Sequence, residues 1–136
     1  MTTAQTTGEH VPELDKHPTT RQLVQYAGAV GDFHEHHYDL PFIQSLGIPN
    51  VLVHGSLQAA WLAQLAADVA GEGARVVSFD ATYVRMAFPG PYVCRGRVAR
   101  RDGARVELEL WGEDTQANRC TTATATIAPV DEEDSP

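Results

Sequence analysis

The chain has 136 residues, 43% hydrophobic and 21% charged, which suits one globular domain with a single moderate core. Its formal net charge of -8 argues against a nucleic-acid surface, because binding phosphates needs a basic patch. No run is apolar enough to span a bilayer, and the opening MTTAQTTGEH has neither the basic nor the apolar segment of a secretory signal. A cytoplasmic protein is therefore expected. Cys94 and Cys120 match no zinc or redox spacing and read as reduced thiols, although spacing alone leaves a bridge between them open.

Residues 1–12 are polar and aperiodic and read as a flexible N-terminus. The first helix is expected to start at Thr19 or Thr20, either of which can cap it, with Pro18 just before. Leu23, Val24, Ala27 and Val30 follow at helical spacing, and Gly31 suits the stop. GDFHEHHYD, positions 31 to 39, then packs three histidines, a glutamate and two aspartates into one turn. A metal cage, a catalytic acid/base pair and a solvated loop would each produce such a run. LPFIQSLGIP is a short helical or turn-rich piece broken by Gly47 and Pro49.

HGSLQAAWLAQLAADVAG, positions 54 to 71, lacks proline, is rich in helix formers and ends in glycine. It is apolar over most of its circumference, which predicts a helix buried in the middle of the domain. From Ala74 the period becomes two. VVSFDATYVRMAF, YVCRGRVARR, ARVELELWGED and RCTTATATIA read as four strands. In the third, Val106, Leu108 and Leu110 alternate with Arg105, Glu107 and Glu109, which buries one face and wets the other. Asp102-Gly103 signals a hairpin and Pro89-Gly90-Pro91 a further turn. DEEDSP reads as a disordered acidic tail over 131–136. The domain expected over 13–130 is thus α+β: a long helix wrapped by an antiparallel sheet.

YAGAVGDFHEHHYD followed by VHGSL resembles the MaoC-like, or (R)-specific enoyl-thioester hydratase/dehydratase, family of the hotdog fold. That family's pattern is close to YA-x-x-SGD-x-NP-x-H-x-D, then a helix opening HGML. Tyr26, Ala27, Gly31, Asp32, His37, Asp39, His54, Gly55 and Leu57 fit it, and positions 20 to 62 carry the match. The resemblance implies a single hotdog domain and a hydro-lyase that reversibly hydrates 2,3-enoyl thioesters to (R)-3-hydroxyacyl thioesters. It implies Asp32 and His37 as the catalytic pair and the backbone N–H at Gly55 as the oxyanion donor. Acyl groups on coenzyme A or acyl carrier protein are the implied substrates, with no metal and no other cofactor. Ser56 joins Gly55 as a candidate oxyanion or substrate-binding residue, and Tyr26, His34 and His54 are candidate supports behind the pair. A lone hotdog leaves a sheet edge open, so a homodimer is expected, or a heterodimer with a second hotdog chain.

Elementary chemistry agrees with those roles. Eliminating water from a 3-hydroxyacyl thioester removes an α proton and protonates a leaving hydroxyl, work that a carboxylate and an imidazole can divide. Charge gathers on the thioester oxygen, where unpaired amides at a helix start stabilise it. This chain departs from the pattern at His34-Glu35, which replace Asn-Pro, at Val30 and at Ser56. Those changes leave two other readings standing: a drifted activity, and a hotdog protein that binds acyl thioesters, or a partner, without turnover. A metal site on His34, Glu35, His36 and His37 is disfavoured, because neighbouring side chains diverge and a closed site wants about four ligands. Glu35 and His36 are then expected to be solvated loop residues. For His54 alone, a core histidine paired with a backbone carbonyl is the plainer reading. Tyr26 is read as packing or loop support, Trp61 and Trp111 as core or subunit contacts. Arg85 and Arg95 are left between carrier binding and ordinary outward strand positions.

Overall fold

This computed structural model describes residues 7–130. The first six residues and the acidic tail expected over 131–136 lie outside the described residues.

Two elements precede the site. Strand β1, Leu14–Lys16, is followed by helix α1, Thr20–Val30. Thr19 caps α1 by accepting the Gln22 N–H, and Gly31 ends it at φ 77, a left-handed turn that glycine adopts without a Cβ clash. Leu23 and Ala27 are buried beneath α1, whereas Val24 and Val30 are exposed. A 3-10 turn, Glu35–His37, leads to the short helix α2, Leu40–Ser45, which Asp39 caps by accepting the Phe42 N–H at 3.1 Å.

Helix α3 runs Gly55–Ala70. Its buried residues include Leu57, Trp61, Leu62, Leu65, Ala66 and Val69, a stripe at i, i+3, i+4 spacing. Ala60, Gln64, Ala67 and Asp68 are exposed. The helix is therefore not enclosed all round, as its composition suggested. Alanine is the reason: a face built of methyl groups looks apolar in sequence yet tolerates solvent at little cost.

Four longer strands complete the sheet: β2, Ala74–Tyr83; β3, Tyr92–Asp102; β4, Arg105–Glu113; and β5, Arg119–Pro129. All neighbours are antiparallel, in the order β1-β3-β4-β5-β2. Register shifts at Val76/Ser78, Val98/Arg100 and Gly112/Glu113 are the kind of irregularity that bends strands, and the sheet curls over α3. Asp102 pairs with Arg105 across a tight hairpin whose Gly103 has φ 61. Val106, Leu108 and Leu110 face the core, as their alternation predicts. Trp61 and Trp111 are both buried, and Cys94 and Cys120 are free, buried thiols.

The short strand β1 escaped the sequence reading. The expected boundary near residue 12 also falls inside ordered pairing: Gly8 and Val11 donate backbone N–H groups to Val98 and Gly96, and Val11 is 4% exposed. A buried valine two residues from a polar tract gives no periodic signal.

Candidate active site

The stretch after α1 is shaped by its own side chains. Asp32 Oδ1 accepts the His34 N–H at 3.3 Å, a local turn of the kind aspartate favours. His34 Nδ1 then accepts the His36 N–H at 3.3 Å and so caps the 3-10 turn. The imidazole at 34 thereby supplies the hydrogen-bond acceptor that an asparagine would offer there. Glu35, in the family's proline position, opens that turn in solvent.

The turn delivers His37 into the interior, 5% exposed. Its Nδ1 donates to the Leu52 carbonyl at 2.7 Å, and the Leu52 N–H donates back to the His36 carbonyl at 2.8 Å. A carbonyl only accepts, so neutral His37 carries its hydrogen on Nδ1 and a lone pair on Nε2. That Nε2 lies 3.6 Å from Asp32 Oδ2. The carboxyl of Asp32 is half exposed. Its pKa is held below the ordinary carboxylate value, first by the His34 N–H; desolvation opposes this, and the neighbouring imidazoles lower it further. The pair thus combines an ionised carboxylate with a shielded imidazole.

Behind His37 lies His54, 1% exposed, its ring stacked on that of His37 at 3.6 Å and 14°. His54 Nε2 sits 3.4 Å from the Asp32 carbonyl, the carbonyl pairing expected of a core histidine. Its Nδ1 is buried without a partner. Burial pushes its pKa down, with the His37 charge adding to that. Tyr26 meets the His54 ring edge-on at 4.8 Å and shares a 2.9 Å hydrogen bond with Ser56. The two residues flank the start of α3. Donor atoms of Asp32, His37 and His54 fall within 4.8 Å of one another, a spacing at which a metal deserves testing. The near-parallel stacking of the two rings argues against one, since in-plane lone pairs on stacked rings do not converge on a common point.

Gly55 opens α3 without a side-chain cap, so the first amides of the helix are free of local partners. A Cβ at 55 would meet the Tyr83 ring at 3.0 to 3.1 Å, so the aromatic packs close against this glycine. Gly55, His36, His37, Val53, Tyr83 and Met86 are among the residues that line a cleft of about 370 Å³. A larger cleft of about 650 Å³, bordered by Phe88, Gly90 and Asn118, shares Arg85 and Met86 with the first. The smaller one takes in His37 and Gly55, with Asp32 at 3.6 Å from His37 Nε2; the larger adjoins it. Arg95 is committed elsewhere, paired with Glu13 and with Glu113.

Two features of the site were missed in the sequence. His36, expected to be solvated, is partly buried, and its Nε2 lies 2.9 Å from His37 Nε2. The second feature is a buried network on Gln58, whose Oε1 accepts from Tyr92 at 2.9 Å and from Thr121 at 2.8 Å. Gln58 Nε2 donates to the Val53 carbonyl at 3.3 Å, just before the His54-Gly55 junction. Gly112 is the one available signal: a Cβ there would collide with the Tyr92 ring.

Residues 2–88 match the family described as hydroxyacyl-thioester dehydratase type 2. The chain belongs to that family. No curated protein matches it in sequence. Among solved structures it is similar to the (R)-hydratase from A. caviae involved in PHA biosynthesis, with TM-score 0.83 and 19% identity over 95% of this chain and 100% of that one. The R-hydratase PhaJ1 from Pseudomonas aeruginosa gives 0.82 and 19% over 93% and 83%. The ChsH1-ChsH2 complex from Mycobacterium tuberculosis gives 0.81 and 20% over 92% and 98%. These likenesses establish the MaoC-like hotdog fold, the α3 helix and curled sheet being its parts.

Proposed function

We propose that this member of the family reversibly hydrates a 2,3-enoyl thioester to the (R)-3-hydroxyacyl thioester, with Asp32 and His37 as the acid/base pair. One observation carries the reading. An ionised carboxylate and an imidazole of fixed tautomer face each other at 3.6 Å, beside a cleft that also exposes a helix-opening glycine. A water held between the two would give a proton to Asp32 as its oxygen bonds to C3, and His37 in its protonated form would give its Nε2 proton to C2. The Gly55 N–H would receive the charge that develops on the thioester oxygen, a donor typically worth about 3 kcal/mol of barrier.

The substrate is an acyl group on coenzyme A or an acyl carrier protein. The adjoining cleft past Arg85 supports an entry route for the carrier arm, and Arg85 supplies a positive charge along it. Neither Asp32 nor His37 needs a cofactor for this chemistry. Strand β2 pairs with β5 on one side only and lies at the sheet edge, with Tyr83 at its end and Val84 and Met86 just beyond it half exposed or more. A homodimer joined through β2 covers that edge and closes the cleft. A heterodimer with a second hotdog chain would do the same. No helix among the described residues is long and apolar enough to cross a membrane, which fits a cytoplasmic enzyme.

The test separates enzyme from binder. Asp32→Asn and His37→Ala should each lower kcat for crotonyl-CoA by about 10²- to 10⁴-fold while acyl-CoA affinity holds within a few-fold. A wild-type protein that binds acyl-CoA and turns over none of a range of enoyl chain lengths and carriers would make this a binding protein.

A further inference from the structure

The proposed reaction uses one imidazole of the run at 34 to 37, yet a second touches it. His36 and His37 meet edge to face, their ring centres 4.0 Å apart and their Nε2 atoms 2.9 Å apart. Because His37 Nδ1 is spent on the Leu52 carbonyl, His37 Nε2 is the acceptor and His36 Nε2 the donor whenever His37 is neutral. His36 Nδ1 is then its free basic nitrogen. On its other face the His36 ring stacks on the exposed ring of His34 at 3.8 Å. His37 is 5% exposed and His36 partly buried, so His36 lies between the enclosed imidazole and solvent.

Resting on the hydratase reading, we propose that His36 is a proton-relay residue acting through His37. In hydration, the water oxygen bonds to C3 and one of its protons passes to Asp32. The Nε2 proton of His37 passes to C2. The product is complete, but the protein is left with a protonated Asp32 and a neutral His37. Asp32 is half exposed and returns its proton to solvent. His37 is enclosed and is recharged through its neighbour. A solvent proton bonds to His36 Nδ1, the N–H bond at His36 Nε2 breaks, and that proton bonds to His37 Nε2. His36, now protonated at Nδ1, accepts the His37 Nε2–H; once His37 has given that proton to C2 in the next turnover, exchange of the partly buried His36 ring with solvent restores its starting tautomer, and dehydration runs the sequence backwards.

The groups facing His36 suit this duty. Burial depresses its basicity first, the His37 and His34 charges add to that, and Asp32 opposes them. Such an imidazole passes a proton on rather than keeping it. His54 lies behind His37, Glu35 adjoins in the chain, and Tyr83 and Arg85 line the same cleft.

The test is the full-length His36→Phe variant assayed with crotonyl-CoA, with and without added imidazole. Phenylalanine keeps a flat ring against His34 and removes both nitrogens. The expected result is a kcat at least tenfold lower with KM within about twofold, rising with imidazole concentration toward wild type, which itself does not respond. His36→Gln can still donate a hydrogen bond but cannot relay, and should behave as His36→Phe. If His36→Phe matches wild type, or its loss is not restored by imidazole, the relay is refuted. If His36→Gln alone is fully active, His36 acts by hydrogen bonding and the relay is again refuted. An inactive wild type refutes the hydratase reading and the relay with it, whereas an active wild type with an indifferent His36→Phe refutes the relay alone.

Discussion

Replacing Gly55 with alanine should separate stability from activity. The residue opens α3 and lacks a positive φ, so alanine fits its backbone. Within a helix the exchange is favourable by up to about 1 kcal/mol. At this first position the gain is smaller, and part is spent moving the Tyr83 ring, which the new Cβ meets at 3.0 to 3.1 Å. That ring is 58% exposed and can swing outward, so the clash costs little. The net change in stability should stay within about 1 kcal/mol, a Tm shift of no more than ~5 °C. Activity should respond differently. The new Cβ and the displaced Tyr83 ring crowd the cleft beside Gly55, where the proposed reaction would bring the thioester oxygen. A misplacement of about 1 Å at a reacting group is worth roughly 10²-fold in rate. A thermal melt and a crotonyl-CoA hydration assay on the same preparation read both quantities. A variant that melts like wild type and retains full kcat/KM would refute the assignment of this amide as the oxyanion donor.

Gln58→Leu should be costly without touching the proposed acid/base pair. It strands the Tyr92 and Thr121 hydroxyls in the core, each buried donor costing about 1–3 kcal/mol when unpaired. Urea unfolding should show a net loss of about 2 kcal/mol or more, and an unchanged midpoint would count against the network. The protein should also lose stability on mild acidification. His54 and His36 have depressed pKa values in the folded state, so below the ordinary 6.5 the unfolded chain takes up protons that the folded chain refuses. Stability present at pH 7.5 is therefore lost as pH falls through that value. The depressed carboxyls, Asp32 and Asp114, act only nearer their ordinary 3.8. Melts at pH 7.5 and 5.5 should differ for wild type and differ less for His54→Phe, which keeps the ring stack; equal shifts would contradict the burial argument.

What the sequence made legible follows from local chemistry. Thr19 and Gly31 marked the ends of α1 because cap residues act on their nearest amides and carbonyls. Asp102-Gly103 marked the β3–β4 hairpin, and alternation along β4 named the buried face. The Asp32–His37 pair was legible through the family resemblance, and in the structure a single turn brings the two within 3.6 Å. The Gln58 network was not. Its members lie 34 and 63 residues apart, and no local pattern announces a hydrogen bond between helix and sheet. His36 was misjudged for a related reason. Polar residues in a run look solvated, and only the 3-10 turn decides which ring turns inward.

The most direct test of the central claim is to incubate the protein with crotonyl-CoA in heavy-oxygen water and analyse the product. The account predicts (R)-3-hydroxybutyryl-CoA with the label on the C3 hydroxyl and the thioester intact. Label in a free carboxylate, with release of coenzyme A, would show hydrolysis instead and contradict the hydratase reading.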